Sequence, residues 1–86
     1  MKSYAERQRS FACKVGDTVR IFKKPDDHDC IDWHGGWDYE MNRCLGQTGE
    51  VMQIKDSGIF VYVASVPGPL IERSWIWPYT SLEIIR

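Results

Sequence analysis

No stretch of the 86-residue sequence approaches the ~18 apolar residues of a membrane span, and the polar first ten residues lack the apolar middle of a signal peptide. A membrane partner is therefore excluded and the cytoplasm is the expected compartment. Cysteine is scarce: Cys13, Cys30 and Cys44 are odd in number and form no Cys-x-x-Cys pair, which argues against a disulfide framework and fits a reducing environment. There is no Gly-x-Ser-x-Gly elbow and no phosphate-cradling glycine loop. No catalytic residue is assigned, and the chain is read as non-enzymatic. His28, Cys30, His34 and Cys44 can all ligate zinc, but they lie one, three and nine residues apart in a loop, without the paired spacings of a structural site. The acids Asp26, Asp27, Asp29 and Asp32 lack the glycine and terminal glutamate of an EF-hand loop. No metal and no other cofactor is expected.

Aromatic side chains are what the sequence has in quantity: eleven of 86 residues, four of them Trp. At roughly 150–250 Å² buried per ring, a few of these fill much of a core this small. The remainder need another reason. With 43% hydrophobic and 27% charged residues the chain is too apolar for intrinsic disorder, and its length suits one domain.

A net charge of −1 hides segregation. Residues 1–24 carry seven basic and two acidic groups, residues 25–44 one basic and six acidic, and residues 45–86 three and four. The chain is dipolar rather than basic, which disfavours a nucleic-acid partner, because phosphate binding calls for a dominant basic face.

Ser3 and Glu6 have capping-box spacing, pointing to a short helix near Tyr4–Arg9 within an N-terminal extension, residues 1–13. From Lys14 the pattern becomes β. Val15-Gly16-Asp17 turns into a first strand, residues 18–22, with Val19 and Ile21 on one face. Residues 23–45 are acidic and aromatic without a period of 2 or 3.6, and a loop of that length usually has a function. Gly46-Gln47-Thr48-Gly49 leads to a second strand over residues 50–55, and Asp56-Ser57-Gly58 is a hairpin signal. Residues 59–66 read as a central third strand, apolar on both faces. Ser74–Trp77 forms a fourth, Pro78-Tyr79-Thr80-Ser81 a tight turn, and Leu82–Ile85 a fifth. The predicted fold is all-β: a small SH3-like five-stranded barrel over residues 14–86, closed on itself to protect its edges.

Val15-Gly16-Asp17-Thr18-Val19-Arg20, then Trp37-(x3)-Met41, Gly46-(x2)-Gly49-(x1)-Val51 and Trp75-Ile76-Trp77-Pro78 follow one another in order and spacing. Together they resemble the SH3-like repeat of the mind bomb ubiquitin ligases, with looser similarity to repeats in plant keep-on-going ligases. The resemblance spans about residues 14–85 and implies a protein-recognition module; it departs from the family in appearing once, which suits an adaptor or inhibitor-like accessory protein. No RING finger accompanies it, so ligase activity is not carried over. Gly16, Asp17, Trp37, Met41, Gly46, Gly49, Trp75 and Pro78 are the motif residues, read as structural. Trp37 and Met41 are expected on a short helical turn that plugs the barrel end.

Phe22, Phe60, Tyr62, Trp37 and Trp75 are assigned to building the barrel. Trp33, Tyr39, Trp77 and Tyr79 are left as rings for contact, with Trp77 at a groove edge beside Tyr79 and Asp29, Asp32 and Asp38 selecting positive charge. Such a groove suits an extended peptide bearing basic residues or proline. Two other readings compete. A KOW-like nucleic-acid-binding barrel would use Lys14, Arg20, Lys23 and Lys24 on phosphates. A subunit of a larger assembly, including a homo-oligomer, would use the surplus aromatics as its contact surface.

Overall fold

In the computed structural model, the description covers residues 3–25, 39–69 and 73–85. The elements are a helix α1 (Tyr4–Arg9), strand β1 (Thr18–Ile21), a 3-10 turn (Tyr39–Cys44), strands β2 (Thr48–Lys55), β3 (Gly58–Tyr62) and β4 (Ser74–Trp77), a second 3-10 turn (Tyr79–Ser81), and β5 (Leu82–Ile85). The strands form one antiparallel sheet in the order β4-β3-β2-β1-β5. This is the small SH3-like all-β fold expected.

One expectation is corrected: the sheet is not closed. β4 and β5 are its two edges, and no ladder joins them. They are linked only by Pro78 and the turn Tyr79–Ser81. A 3-10 segment rises about 2 Å per residue, whereas the edges of a flat five-stranded sheet would stand about 19 Å apart at ~4.8 Å per strand. So short a link holds the sheet coiled around its core without bringing the edge strands into pairing.

The core follows the strand alternation. Val19 and Ile21 of β1, Val51 of β2, Ile59 and Val61 of β3, Trp77 of β4 and Leu82 of β5 are buried together, with Met41 and Cys44 from the first 3-10 turn closing one side. Met41 is buried on that side; Trp37 lies outside the described residues. The third strand is shorter than predicted. It ends at Tyr62, yet Val63 and Val66 stay in the core because a turn, with the Val66 N–H donating to the Val63 carbonyl (3.4 Å), folds them back. Gly49 sits where β2 crosses β3 so closely that a Cβ would lie 2.6 Å from the Tyr62 carbonyl oxygen and 2.7 Å from Val61 Cγ1.

Phe22 departs from its assignment to the core. The β1 alternation points Val19 and Ile21 inward, so the next side chain falls outward; Phe22 is 49% exposed, with the Lys23 ammonium 5.9 Å from its ring centroid. Tyr4 of α1 is fully buried, and its hydroxyl accepts a hydrogen bond from the Tyr79 N–H (3.0 Å). Ser3 caps this helix: its Oγ accepts from the Glu6 N–H and donates to the Glu6 carboxylate, both at 3.3 Å. Gln8 Nε2 donates to the Lys55 carbonyl (2.6 Å), tying α1 to the end of β2.

Candidate functional site

Of the side chains assigned to partner contact, Trp33, Asp29, Asp32 and Asp38 lie outside the described residues, as do His28, Cys30 and His34. Tyr39 opens the first 3-10 turn and is 82% exposed, the most open ring among the described residues. Its exposure has a simple cause: the turn directs Met41 and Cys44 inward, and Tyr39 occupies the opposite side. Arg43 and Glu40 brace that turn with an ion pair of 2.9 Å.

Trp77 does not stand at a groove edge. It is fully buried, opposite Ile59 in the β3–β4 ladder, whereas Trp75 is only partly buried against the core. The two indoles share one face of β4, but the strand enters the core at its C-terminal end, so the later one is enclosed. Tyr79 is half-buried under Tyr4 and Phe11, with ring centroids 5.7 and 6.0 Å away. Pro78 beside it is fully buried. The region around the second 3-10 turn is thus filled by α1, and the structure does not bring Tyr39, Trp77 and Tyr79 onto one open surface.

The motif glycines and aspartate serve the backbone. The Asp17 carboxylate accepts from the Lys14 N–H (2.8 Å), holding the turn through Gly16, and Gly46, at φ +83°, donates its N–H to the Ile21 carbonyl (2.6 Å). Two further concavities were not foreseen. One, of about 230 Å³, lies between α1 and the end of β2 and is lined by Gln8, Arg9, Cys13 and Ile54 among others. The other, of about 270 Å³, lies on the outer face of the sheet between Met52, Phe60, Tyr62 and Ser74. Its signal was present in the sequence, because a third strand apolar on both faces has a second apolar face to account for.

Neither described cysteine has the environment of a nucleophile. Burial pushes the Cys13 thiol up, reinforced by the negative charge of Asp17. Burial likewise raises Cys44, against a smaller opposing effect of Arg43. A raised thiol is neutral near pH 7 and unreactive. Among the described residues no group of three His, Cys, Asp or Glu side chains could hold a metal ion, and no helix is long and apolar enough to cross a membrane.

Comparison with known families matches residues 13–68 to the Mind bomb SH3 repeat domain. The chain belongs to that family. The match begins at Cys13 and therefore leaves out α1, and it ends before β4 and β5. None of the curated proteins compared with the chain matches it.

Proposed function

We propose that this Mind bomb SH3 repeat is a non-enzymatic protein-binding module, an adaptor or inhibitor-like accessory protein, whose contact surface centres on Tyr39 and the acidic segment before it. The observation that carries the reading is a large ring 82% exposed at the rim of a domain of this family. Aromatic rings give much contact area for little conformational entropy. The partner class is a peptide or protein surface bearing basic or proline residues, selected by Asp29, Asp32 and Asp38 with Trp33 as a second ring. Trp77 drops out of the contact set, and Tyr79 takes part only through the edge that α1 leaves uncovered.

The nucleic-acid reading loses support at Arg20, which faces Glu83 across the β1–β5 ladder at 3.7 Å and is partly neutralised by it. The deciding experiment compares the native chain with Tyr39→Ala on an array of Lys-, Arg- and Pro-containing peptides. The variant is expected to keep its melting temperature and lose capture. Capture undiminished by the substitution would place the contact surface elsewhere, and RNA retention that falls steeply with salt would favour phosphate binding instead.

A further inference from the structure

The outer face of the sheet is apolar at one corner. Ile59 and Val61 alternate into the core, so Phe60 and Tyr62 of β3 point away from it. Residues directly opposite in an antiparallel pair share a face, which puts Ile76, across from Phe60, and Ser74, across from Tyr62, on this outer side. Met52, 47% exposed where the β2–β3 register shifts, forms the third wall. Because Ser74 is small, a groove is left between them.

An open strand edge borders that groove. The Val63 N–H donates to the Arg73 carbonyl at 2.8 Å, which sets the parity of the β3–β4 ladder. Trp75 and Trp77 therefore turn their backbone groups toward β3, and those of Ser74 and Ile76 point out of the sheet. Among the described residues no strand pairs with β4 on that side. Edges that stay unpaired are commonly protected by charge or proline. The other edge, β5, carries Glu83, whereas Ser74-Trp75-Ile76-Trp77 carries neither.

A cation stands at the head of the same edge. Arg73 is half-buried; its Nη1 donates to the Tyr62 hydroxyl (3.5 Å), at the end of the ring that lines the groove, and its Nε is buried without a hydrogen-bond partner. It forms no ion pair among the described residues. A partly desolvated guanidinium with donors to spare calls for a carboxylate.

We propose that the β4 edge and the outer groove bind an extended peptide strand carrying apolar residues and one carboxylate. Its backbone pairs with Ser74 and Ile76, an apolar side chain lies over the small Ser74 at the β4 side of the groove, facing Tyr62, and the carboxylate meets Arg73. An antiparallel guest brings its C-terminal end to Arg73, which lies just before β4. This surface is separate from Tyr39 and has the opposite charge preference.

The test is a ¹⁵N NMR titration of the full chain with the peptide acetyl-Thr-Val-Thr-Val-Glu-amide. Shifts are expected to concentrate at Ser74 and Ile76 and at Tyr62 behind them, and exchange of the Ser74 and Ile76 amides should slow. Replacing the peptide's Glu by Gln should weaken binding about fivefold to tenfold, as for a lost charge-assisted bond, and an Arg73→Gln protein should no longer distinguish the two. Of two peptides N-methylated on alternate amides, the one blocked on the edge-facing side should fail to bind. The inference is overturned if both methylated peptides bind as the parent does, or if the Glu and Gln peptides bind the native chain equally. It is equally overturned if the Ser74 and Ile76 signals move with protein concentration alone, which would make the edge a self-association surface. The peptide arms use the native protein, so they decide even if Arg73→Gln does not fold. Tyr39→Ala should leave this binding intact, so the two surfaces can fail independently.

Discussion

Tyr4 and Tyr79, 75 positions apart, are joined by a hydrogen bond of 3.0 Å and by rings 5.7 Å apart. This contact carries both packing and a polar obligation, and two substitutions separate them. Tyr4→Phe keeps the ring but leaves the Tyr79 N–H without its acceptor, an expected loss of about 1–2 kcal/mol. Tyr4→Ala also opens a cavity and should cost about 3–5 kcal/mol. Urea denaturation measures both; a cost below about 1 kcal/mol for the alanine variant would show that Tyr4 does not belong to the core. Gly49→Ala tests a different physical limit, overpacking. The added methyl meets the Tyr62 carbonyl oxygen and the stiff β-branched side chains of Val61 and Val63, so a loss of about 1–3 kcal/mol is expected. Both effects arise from close approaches between segments distant in sequence. Tyr4 therefore read as part of an extension, although Ser3 and Glu6 correctly announced the helix that carries it.

Six residues are too few for a helix to hold together alone in water, so α1 exists because Tyr4 and Gln8 are docked. Its amides should exchange with solvent at rates set by undocking rather than by global unfolding, and Tyr4→Ala should melt the helix while β2 and β3 stay protected. Hydrogen exchange read by NMR checks this. Protection of residues 5–9 matching that of the sheet would mean that helix and sheet unfold as one unit. The Ser3 cap should contribute about 0.5–2 kcal/mol to the same local equilibrium. Strand β3 makes the complementary point. Its residues read as apolar on both faces, and they are; one face lies in the core and the other lines the outer groove. Alternation alone could not say whether the second face met a further layer, because that depends on where α1 and the loops settle.

The thiols link the interior to pH. Burial raises both Cys13 and Cys44 above the ordinary thiol value of 9.0, so the folded chain keeps these protons longer than the unfolded chain does. The stability this represents is complete below the ordinary value and is lost as pH rises through the raised folded values. Denaturation midpoints should therefore fall above about pH 9, and Cys13→Ser, which cannot ionise there, should flatten part of the decline. A pH-independent midpoint across that range would show that the thiols are not desolvated. The charge segregation of the sequence acts over longer distances. It favours steering of a partner from solution, and capture at Tyr39 should accordingly slow with added salt.

Composition and alternation were enough for an all-β domain, its five strands in order and the hairpin at Gly58, while the order of its short motifs pointed by resemblance to the family. These are local or periodic properties, encoded within a few residues of one another. The three-dimensional arrangement assigned the aromatics. It enclosed Trp77, left Phe22 outside, brought Tyr4 into the core, and left the sheet open with Arg73 beside an edge that no described strand pairs. Each of those outcomes depends on how a short link coils the sheet and on which distant segment reaches a given ring first, and neither is written in the spacing of the residues concerned.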